Sequence, residues 1–376
     1  MFKFDFQIED IDDDETNILS ASTPQPQEDK PTLGENSFEE HLLKDLLNRL
    51  PSRISYSPLH VPLTGGRSLT LVRRDLFDAR FQLISEGTGE EAPALVYLDA
   101  PSDLVPGVYE GGLKTWECSL DLVQYLDTAL PDETYRGRRI LELGCGTAVP
   151  SLYILRELFS STPTAPQKGA HVHFQDFNLS VLELVTLPNI LSTWYASPAS
   201  LTFRCEQGSD DDLPTPIDPS TPSELSITPE LKSAFLTSLL DHNLSIRFFS
   251  GSWSDFDHHG IGGKYDIILT SETIYSTSSL PSLVDTMQSA SATGGDKPLN
   301  AHTSPQLTMS QSIVPAKYLC LVAAKVLYFG VGGGASEFTK LIETPANTTG
   351  RSRGKVETVL ERKVGVGRKV MSVQWA

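Results

Sequence analysis

Apolar positions recur at two periods along this chain, and the change from one to the other divides it. Between Ser37 and Leu50 (SFEEHLLKDLLNRL), Phe38, Leu42, Leu43, Leu46, Leu47 and Leu50 fall on one helical face. Ser37, with Glu40 three residues on, has the spacing of a capping box, so one amphipathic helix is predicted to start there. Residues 68–98 hold the apolar runs SLTLVRRDLFDARFQLI and ALVYL, split by Gly87-Thr88-Gly89, and are read as strands packed ahead of a larger domain. From Arg138 the rhythm becomes regular. RRILEL (138–143), HVHFQD (171–176), LSIRFFSG (244–251), KYDIILT (264–270) and KYLCLVAAKVLYF (317–329) are short apolar runs, and SLYILRELF and LSVLELVTL between them have helical spacing. This alternation predicts an α/β fold with a mostly parallel sheet covered on both faces. KVETVLERKV and RKVMSVQWA lie close enough to form an antiparallel pair at the sheet edge.

Polar stretches interrupt that pattern. Residues 1–36 join the acidic run Asp12-Asp13-Asp14-Glu15 to a Ser/Thr/Pro/Gln segment, a composition that predicts a disordered acidic arm. Phe2, Phe4 and Phe6 alternate with polar residues within it, and a short docking strand is the other reading of that end. Residues 37–104 then form a helix-and-strand extension, and 105–376 the main domain. Polar insertions are expected near 160–169, 206–229 and 289–315. At about 150 residues per domain, 376 residues would allow two domains; one domain with an arm, an extension and insertions explains the length better.

The net charge of −18 argues against binding nucleic acid through phosphate neutralisation. Half of it comes from residues 1–50, with thirteen acidic and four basic side chains, whereas the last 26 residues hold seven basic and two acidic ones. Cys118, Cys145, Cys205 and Cys320 are too far apart for a metal knuckle or a dense disulfide pattern. No run of about 18 apolar residues appears, so no membrane span is expected. The N-terminus is too acidic for a signal or transit peptide, and a cytoplasmic or nuclear location is expected. His171, His173, His258 and His259 lack partners at metal spacing, no metal is expected, and the absence of G-x-S-x-G leaves hydrolase chemistry unsupported.

Candidate chemistry begins at LELGCGTA (141–148). A strand ending in Gly144-x-Gly146 turns sharply, and the helix that follows directs amides at a ligand. A dinucleotide site would continue to a glycine or alanine at position 149, which here is Val149, followed by Pro150. The spacing instead resembles the E/D-x-G-x-G-x-G motif of class I S-adenosylmethionine methyltransferases, with Glu142 as its acid and Ala148 in place of the last glycine. An ordinary tight turn is the alternative. Asp176 ends the next strand about thirty residues on, where a carboxylate accepts both hydroxyls of an adenosyl ribose. Its other reading, and that of Asn178, is a helix cap. Upstream, GVYEGGLKTWEC (107–118) sets Tyr109, Trp116 and Glu117 among glycines, which suits a loop closing over a ligand.

GVYEGGLKTWECSLDL, HFQDFN, VTLPN, RFFSGSWSDF, KYDIILTSETIY and YFGVGGG, in order from about 105 to 335, resemble the blocks of the eukaryotic protein-histidine methyltransferases. The resemblance implies a Rossmann-like class I methyltransferase fold, with a mostly parallel seven-stranded sheet and an antiparallel edge hairpin. It also implies S-adenosylmethionine as cofactor and transfer to the tele nitrogen of a protein histidine, in a basic large-subunit ribosomal protein. It places Trp116 and Glu117 in the loop beside the cofactor, Gly144, Cys145 and Gly146 under its methionine part, and Asp176 at the ribose with Phe177 and Asn178 adjacent. Trp253 falls beside adenine, and Thr270 and Ser271 at the methyl-transfer centre. Glu272 and Tyr275, in the acidic-x-x-Tyr element, are the candidates for orienting the substrate imidazole; lysine-directed relatives usually have Asp at the first of these positions. Gly330 to Gly334 is either a substrate-side loop or a plain turn. A lysine-directed methyltransferase and a non-catalytic binding protein that keeps the fold remain the alternatives.

Overall fold

The computed structural model describes residues 37–85, 111–130, 135–160, 169–207, 218–257, 260–292, 318–328, 332–345 and 352–376. The acidic arm, Tyr109, the Gly87–Gly89 split, the ALVYL run, His258 and His259 lie outside them.

In chain order the strands are β1 (Glu39–His41), β2 (Arg53–Pro62), β3 (Ser68–Arg74), β4 (Arg139–Leu143), β5 (Ala170–Asp176), β6 (Ser223–Ser226), β7 (Leu244–Ser250), β8 (Ile267–Ser271), β9 (Leu319–Lys325), β10 (Gly354–Arg362) and β11 (Arg368–Trp375). The helices are α1 (Leu43–Arg49), α2 (Leu76–Ser85), α3 (Glu117–Ala129), α4 (Val149–Ser160), α5 (Leu187–Tyr195), α6 (Leu201–Gln207), α7 (Pro229–Asp241), α8 (Leu280–Ala290) and α9 (Ala335–Glu343).

Among the described residues, eight strands form one sheet in the order β1-β7-β5-β4-β8-β9-β11-β10. The central strands β7, β5, β4, β8 and β9 run parallel, while β11 and β10 add the antiparallel hairpin expected at the edge. Alternation along each strand sends side chains to opposite faces. Ile140, Val172, Phe174, Phe248 and Leu269 enter one buried cluster with α3, α4 and α5. Leu141, Leu143, Phe249, Ile268 and Val322 enter the other with α8 and α9.

The eighth strand corrects the expected helix start. Residues 39–41 pair antiparallel with β7, and the helix begins only at Leu43 with Leu42 as its cap. Side-chain anchors outweigh the local capping pattern there. Phe38 stacks on Phe249 at 5.3 Å and meets Phe256 edge-on at 5.1 Å. The Arg247 guanidinium donates twice to the Glu40 carboxylate, at 2.6 and 2.5 Å. The stretch read as strands from Ser68 onward is strand only to Arg74 and then helix from Leu76.

The extension is built into the domain. β2 pairs with β3 and with β6, and the described part of the 206–229 insertion supplies β6 and the cap of α7. Arg74, fully buried, donates to Leu184 O at 2.9 Å, and its amide donates to Asn189 Oδ1 at 2.7 Å. These bonds tie β3 to α5 and the helical turns that precede it.

Candidate active site

The sheet reverses its order between β4 and β8: the chain fills β5 and β7 on one side, then β8 and β9 on the other. Ligands gather at the carboxyl ends of strands at such a switch point. A cleft opens there, between the β4 turn, the loop before α3 and the segment after β8.

Gly144 (φ 59°) and Gly146 (φ 50°) both take left-handed backbone. A Cβ on Gly144 would lie 2.5 Å from Thr273 Cγ2, and one on Gly146 would lie 3.1 Å from Gly112 Cα. Glycine is therefore required for close approach as well as for φ. Ala148, standing where the usual motif has its last glycine, keeps the left-handed conformation at φ 58° with its methyl fully buried. The turn geometry survives the substitution, at a backbone cost of about 1–2 kcal/mol.

Neighbouring elements hold the turn from below. The helix entering α5 contains a π-helical turn, Leu182–Thr186, of the kind that often marks functional sites. It carries the Thr186 hydroxyl to the Gly146 carbonyl at 2.7 Å. Asn189 Nδ2 donates to Thr147 O at 3.0 Å. Glu142, 1 % exposed, accepts the Ser151 amide at 3.0 Å in the first turn of α4. Burial pushes its carboxyl up to about 8, aided by nearby Asp176 and opposed by the Ser151 hydrogen bonds. Cys145 lines the cleft, but burial holds its thiol well above the ordinary range, so it is not a nucleophile.

On the β5 side, Asp176 Oδ2 accepts the Gly146 amide at 2.9 Å and Oδ1 accepts the Asn178 amide at 3.3 Å. Gln175 Oε1 accepts the Trp253 indole N–H at 2.7 Å, and its amide donates to Gly251 O at 2.8 Å. The indole is thereby fixed at the cleft wall beside Gly144, and Phe177 lines the same wall.

Across the cleft, Ser271 ends β8, and Glu272, Thr273 and Tyr275 follow it. Glu272 has φ 59°, rare for a non-glycine residue. Its Oε2 accepts the Tyr328 hydroxyl at 2.6 Å. The Lys325 ammonium lies 3.9 Å from its Oε1 and 4.4 Å from the centroid of the Trp116 ring. The buried Cys118 thiol lies behind the carboxylate, pushed up by desolvation first and by Glu272 second. Gly333 N donates to Tyr275 O at 2.9 Å, so the glycine loop after β9 packs on the backbone of the acidic-x-x-Tyr element.

The fold thus brings Trp116, Gly144, Cys145, Gly146, Asp176, Phe177, Trp253, Ser271, Glu272 and Tyr275 to one cleft. Three of the expected residues are placed elsewhere. Glu117, in the first turn of α3, turns away to pair with Arg368 at 2.6 Å. Thr270 is fully buried and bridges Leu143 O at 2.8 Å and the Thr273 hydroxyl at 2.7 Å, joining β4 to the segment after β8. Asn178 occupies the N-cap position of the helical turn after β5 without a side-chain capping bond, and its Nδ2 is buried without a partner. Gln175, Thr186, Asn189, Lys325 and Tyr328 were not foreseen. Gln175, Thr186, Asn189 and Tyr328 sit inside the HFQDFN, VTLPN and YFGVGGG blocks, where only the resemblance marked them.

This strand order, the left-handed glycine turn and the acid ending β5 define a class I S-adenosylmethionine-dependent methyltransferase. The side chains fit that cofactor. The turn leaves a cradle that a Cβ would fill, and the Asp176 carboxylate and the Phe177 and Trp253 rings line the cleft beside it. No protein-family profile matches the chain. Curated relatives do match it. Histidine protein methyltransferase 1 of Saccharomyces cerevisiae is 31% identical over 310 residues, covering 78% of this chain and 75% of the relative. The Schizosaccharomyces pombe protein of the same name is 33% identical over 322 residues, covering 82% and 79%. The Bos taurus homolog is 30% identical over 331 residues, covering 86% and 70%. The chain belongs to this histidine protein methyltransferase family. Among solved structures, the rRNA methyltransferase AviRa of Streptomyces viridochromogenes matches 75% of this chain and 90% of its own, at 15% identity and a TM-score of 0.34.

Proposed function

We propose that this chain transfers a methyl group from S-adenosylmethionine to the tele nitrogen of a histidine in a basic large-subunit ribosomal protein. When bound, S-adenosylmethionine supplies a methyl activated by a positive sulfur, which leaves with the C–S electron pair. Gly144, Gly146, Asp176 and Trp253 would hold it, across the cleft from Ser271 and Glu272. The remaining requirement is a neutral ring nitrogen held in line with that methyl. An imidazole of ordinary pKa, about 6.5, is mostly neutral at pH 7, so no strong base is needed.

What the protein must fix is the ring's orientation. The observation that carries this reading is Glu272 Oε1, buried at the cleft wall and without a nitrogen or oxygen hydrogen-bond partner. It would accept the N–H of one ring nitrogen and leave the lone pair of the other facing the methyl. The family membership supports histidine as the acceptor. The ribosomal partner rests on the resemblance of the sequence blocks to the protein-histidine methyltransferases, and the strongly acidic arm suits a basic substrate; a cytoplasmic and nuclear location rests on the acidic N-terminus and the cysteine spacing.

The test is incubation with labelled S-adenosylmethionine and methyl-free ribosomal extract, followed by locating the label by residue. A single methylated histidine in one large-subunit protein is expected. Label on lysine alone overturns the reading.

A further inference from the structure

Glu272 is constrained from three directions. Its left-handed backbone is pinned to β9 by a bond from its amide to Ala323 O at 2.9 Å. Strained residues of this kind cluster where geometry serves function. Its Oε2 is taken by the Tyr328 hydroxyl, which itself accepts the Lys325 amide at 3.2 Å. Its Oε1, closed to solvent in a side chain only 7 % exposed, has no nitrogen or oxygen hydrogen-bond partner, and its neighbours are the Lys325 ammonium at 3.9 Å and the Cys118 thiol beside the carboxylate.

A carboxylate with both oxygens open would take an imidazole N–H in more than one orientation. The two ring nitrogens differ little in intrinsic reactivity, so orientation decides which one is methylated. We propose that Tyr328 is a specificity-determining positioning residue: by holding Oε2 of Glu272 it leaves Oε1 as the sole acceptor, and so decides which nitrogen of the substrate imidazole faces the methyl. This rests on the methyl-transfer reading above.

Burial and the adjacent Glu272 carboxylate push the Tyr328 hydroxyl far above its ordinary value, so it remains a donor. The Tyr275 ring lies edge-on to Tyr328, with centroids 6.3 Å apart, and closes the same wall. In the step itself an N–C bond forms at the nitrogen that lacks hydrogen, and the C–S bond breaks with its electrons on sulfur. The positive ring then loses its N–H proton to Oε1 and onward to water.

Four proteins test this: the wild type, Tyr328→Phe, Glu272→Gln and the double variant. The readouts are kcat, calorimetric binding of S-adenosylmethionine, and the ratio of the two methylhistidine isomers after hydrolysis. Tyr328→Phe should bind S-adenosylmethionine within about twofold of wild type, lose about tenfold in kcat and yield the second isomer. In the Glu272→Gln background it should add no further loss, because it acts through that carboxylate. A single isomer at wild-type kcat, or losses that add in the double variant, overturns the proposal. If Glu272→Gln is impaired while Tyr328→Phe is not, Tyr328 alone is wrong; if Glu272→Gln is itself unchanged, the orienting role of Glu272 falls with it. Glu272→Asp, which draws the carboxylate back from Tyr328 by one methylene, examines the same geometry should Tyr328→Phe fold poorly. It should also yield the second isomer, and a single isomer at wild-type kcat would count against the clamp.

Discussion

Asp176 Oδ2 accepts the Gly146 amide at 2.9 Å. The acid at the end of β5 and the turn after β4 therefore hold each other in place before any ligand arrives, so a binding role proposed for this carboxylate has to be separated from its structural one. Asp176→Ala should separate from Asp176→Asn. The alanine variant orphans a buried amide and should lose about 1–3 kcal/mol of stability. The asparagine variant keeps an oxygen for the Gly146 amide but sets its NH2 against the Asn178 amide, which loses the longer of the two bonds, so it should lose less stability than the alanine variant. Both should bind S-adenosylmethionine at least about tenfold more weakly, because the charged acceptor for the ribose hydroxyls is gone. Calorimetric titration beside urea unfolding checks the pair; wild-type affinity in both variants would remove Asp176 from the ribose site.

The clash that forbids a side chain at Gly144 has one identifiable partner, Thr273 Cγ2 at 2.5 Å. Gly144→Ala should cost about 2–3 kcal/mol through overpacking and φ strain together. Thr273→Ser removes the offending methyl while retaining the hydroxyl bonded to Thr270 at 2.7 Å. The double variant should recover the overpacking part but not the φ part. Unfolding midpoints for the three variants check this, and strict additivity would show that the methyl is not the obstacle.

The sequence pattern was informative wherever a residue's role follows from its own type and spacing. Alternating apolar runs located the parallel strands, and Gly144, Gly146 and Asp176 were legible as cleft residues because a tight turn needs glycine and an acid ends the next strand. It was least informative where a partner distant in sequence decides. Ser37 and Glu40 have a capping box's spacing, yet Phe249 and Arg247, more than 200 residues away, draw that segment into the sheet. Thr270 looked like a cleft residue because it ends a strand, but strand alternation turns its side chain inward to Leu143 O. Tyr328 was invisible as an individual residue for the same reason: its meaning lies in a hydrogen bond to Glu272, 56 positions away.

The acidic arm offers a test that needs no structure of the arm itself. Residues 1–36 contain ten acidic and two basic side chains. If they draw a basic substrate by long-range steering, removing them should raise KM at low salt and leave kcat unchanged. The difference should shrink near 0.15 M salt, where the Debye length falls to about 8 Å. Steady-state kinetics of the full chain and of a chain starting at Ser37, each at two ionic strengths, check this. Equal KM values at low salt would leave the arm without a steering role.

Glu142 makes the stability of the site depend on pH. Its carboxyl ordinarily titrates near 4.5 and is pushed up to about 8, mainly by burial. Between those values the folded chain keeps a proton that the unfolded chain has released. The stability this proton contributes is fully present below about 4.5 and is lost as pH rises through about 8. Glu142→Gln is neutral throughout and retains an oxygen for the Ser151 amide, which now reaches Glu142 Oε2 at 3.0 Å. Wild type and variant should therefore unfold at similar urea concentrations at pH 5. At pH 8.5 the variant should be the more stable by about 2–4 kcal/mol. A gap that stays constant between those pH values would mean that the acid of the turn motif does not titrate in the folded chain as its burial requires.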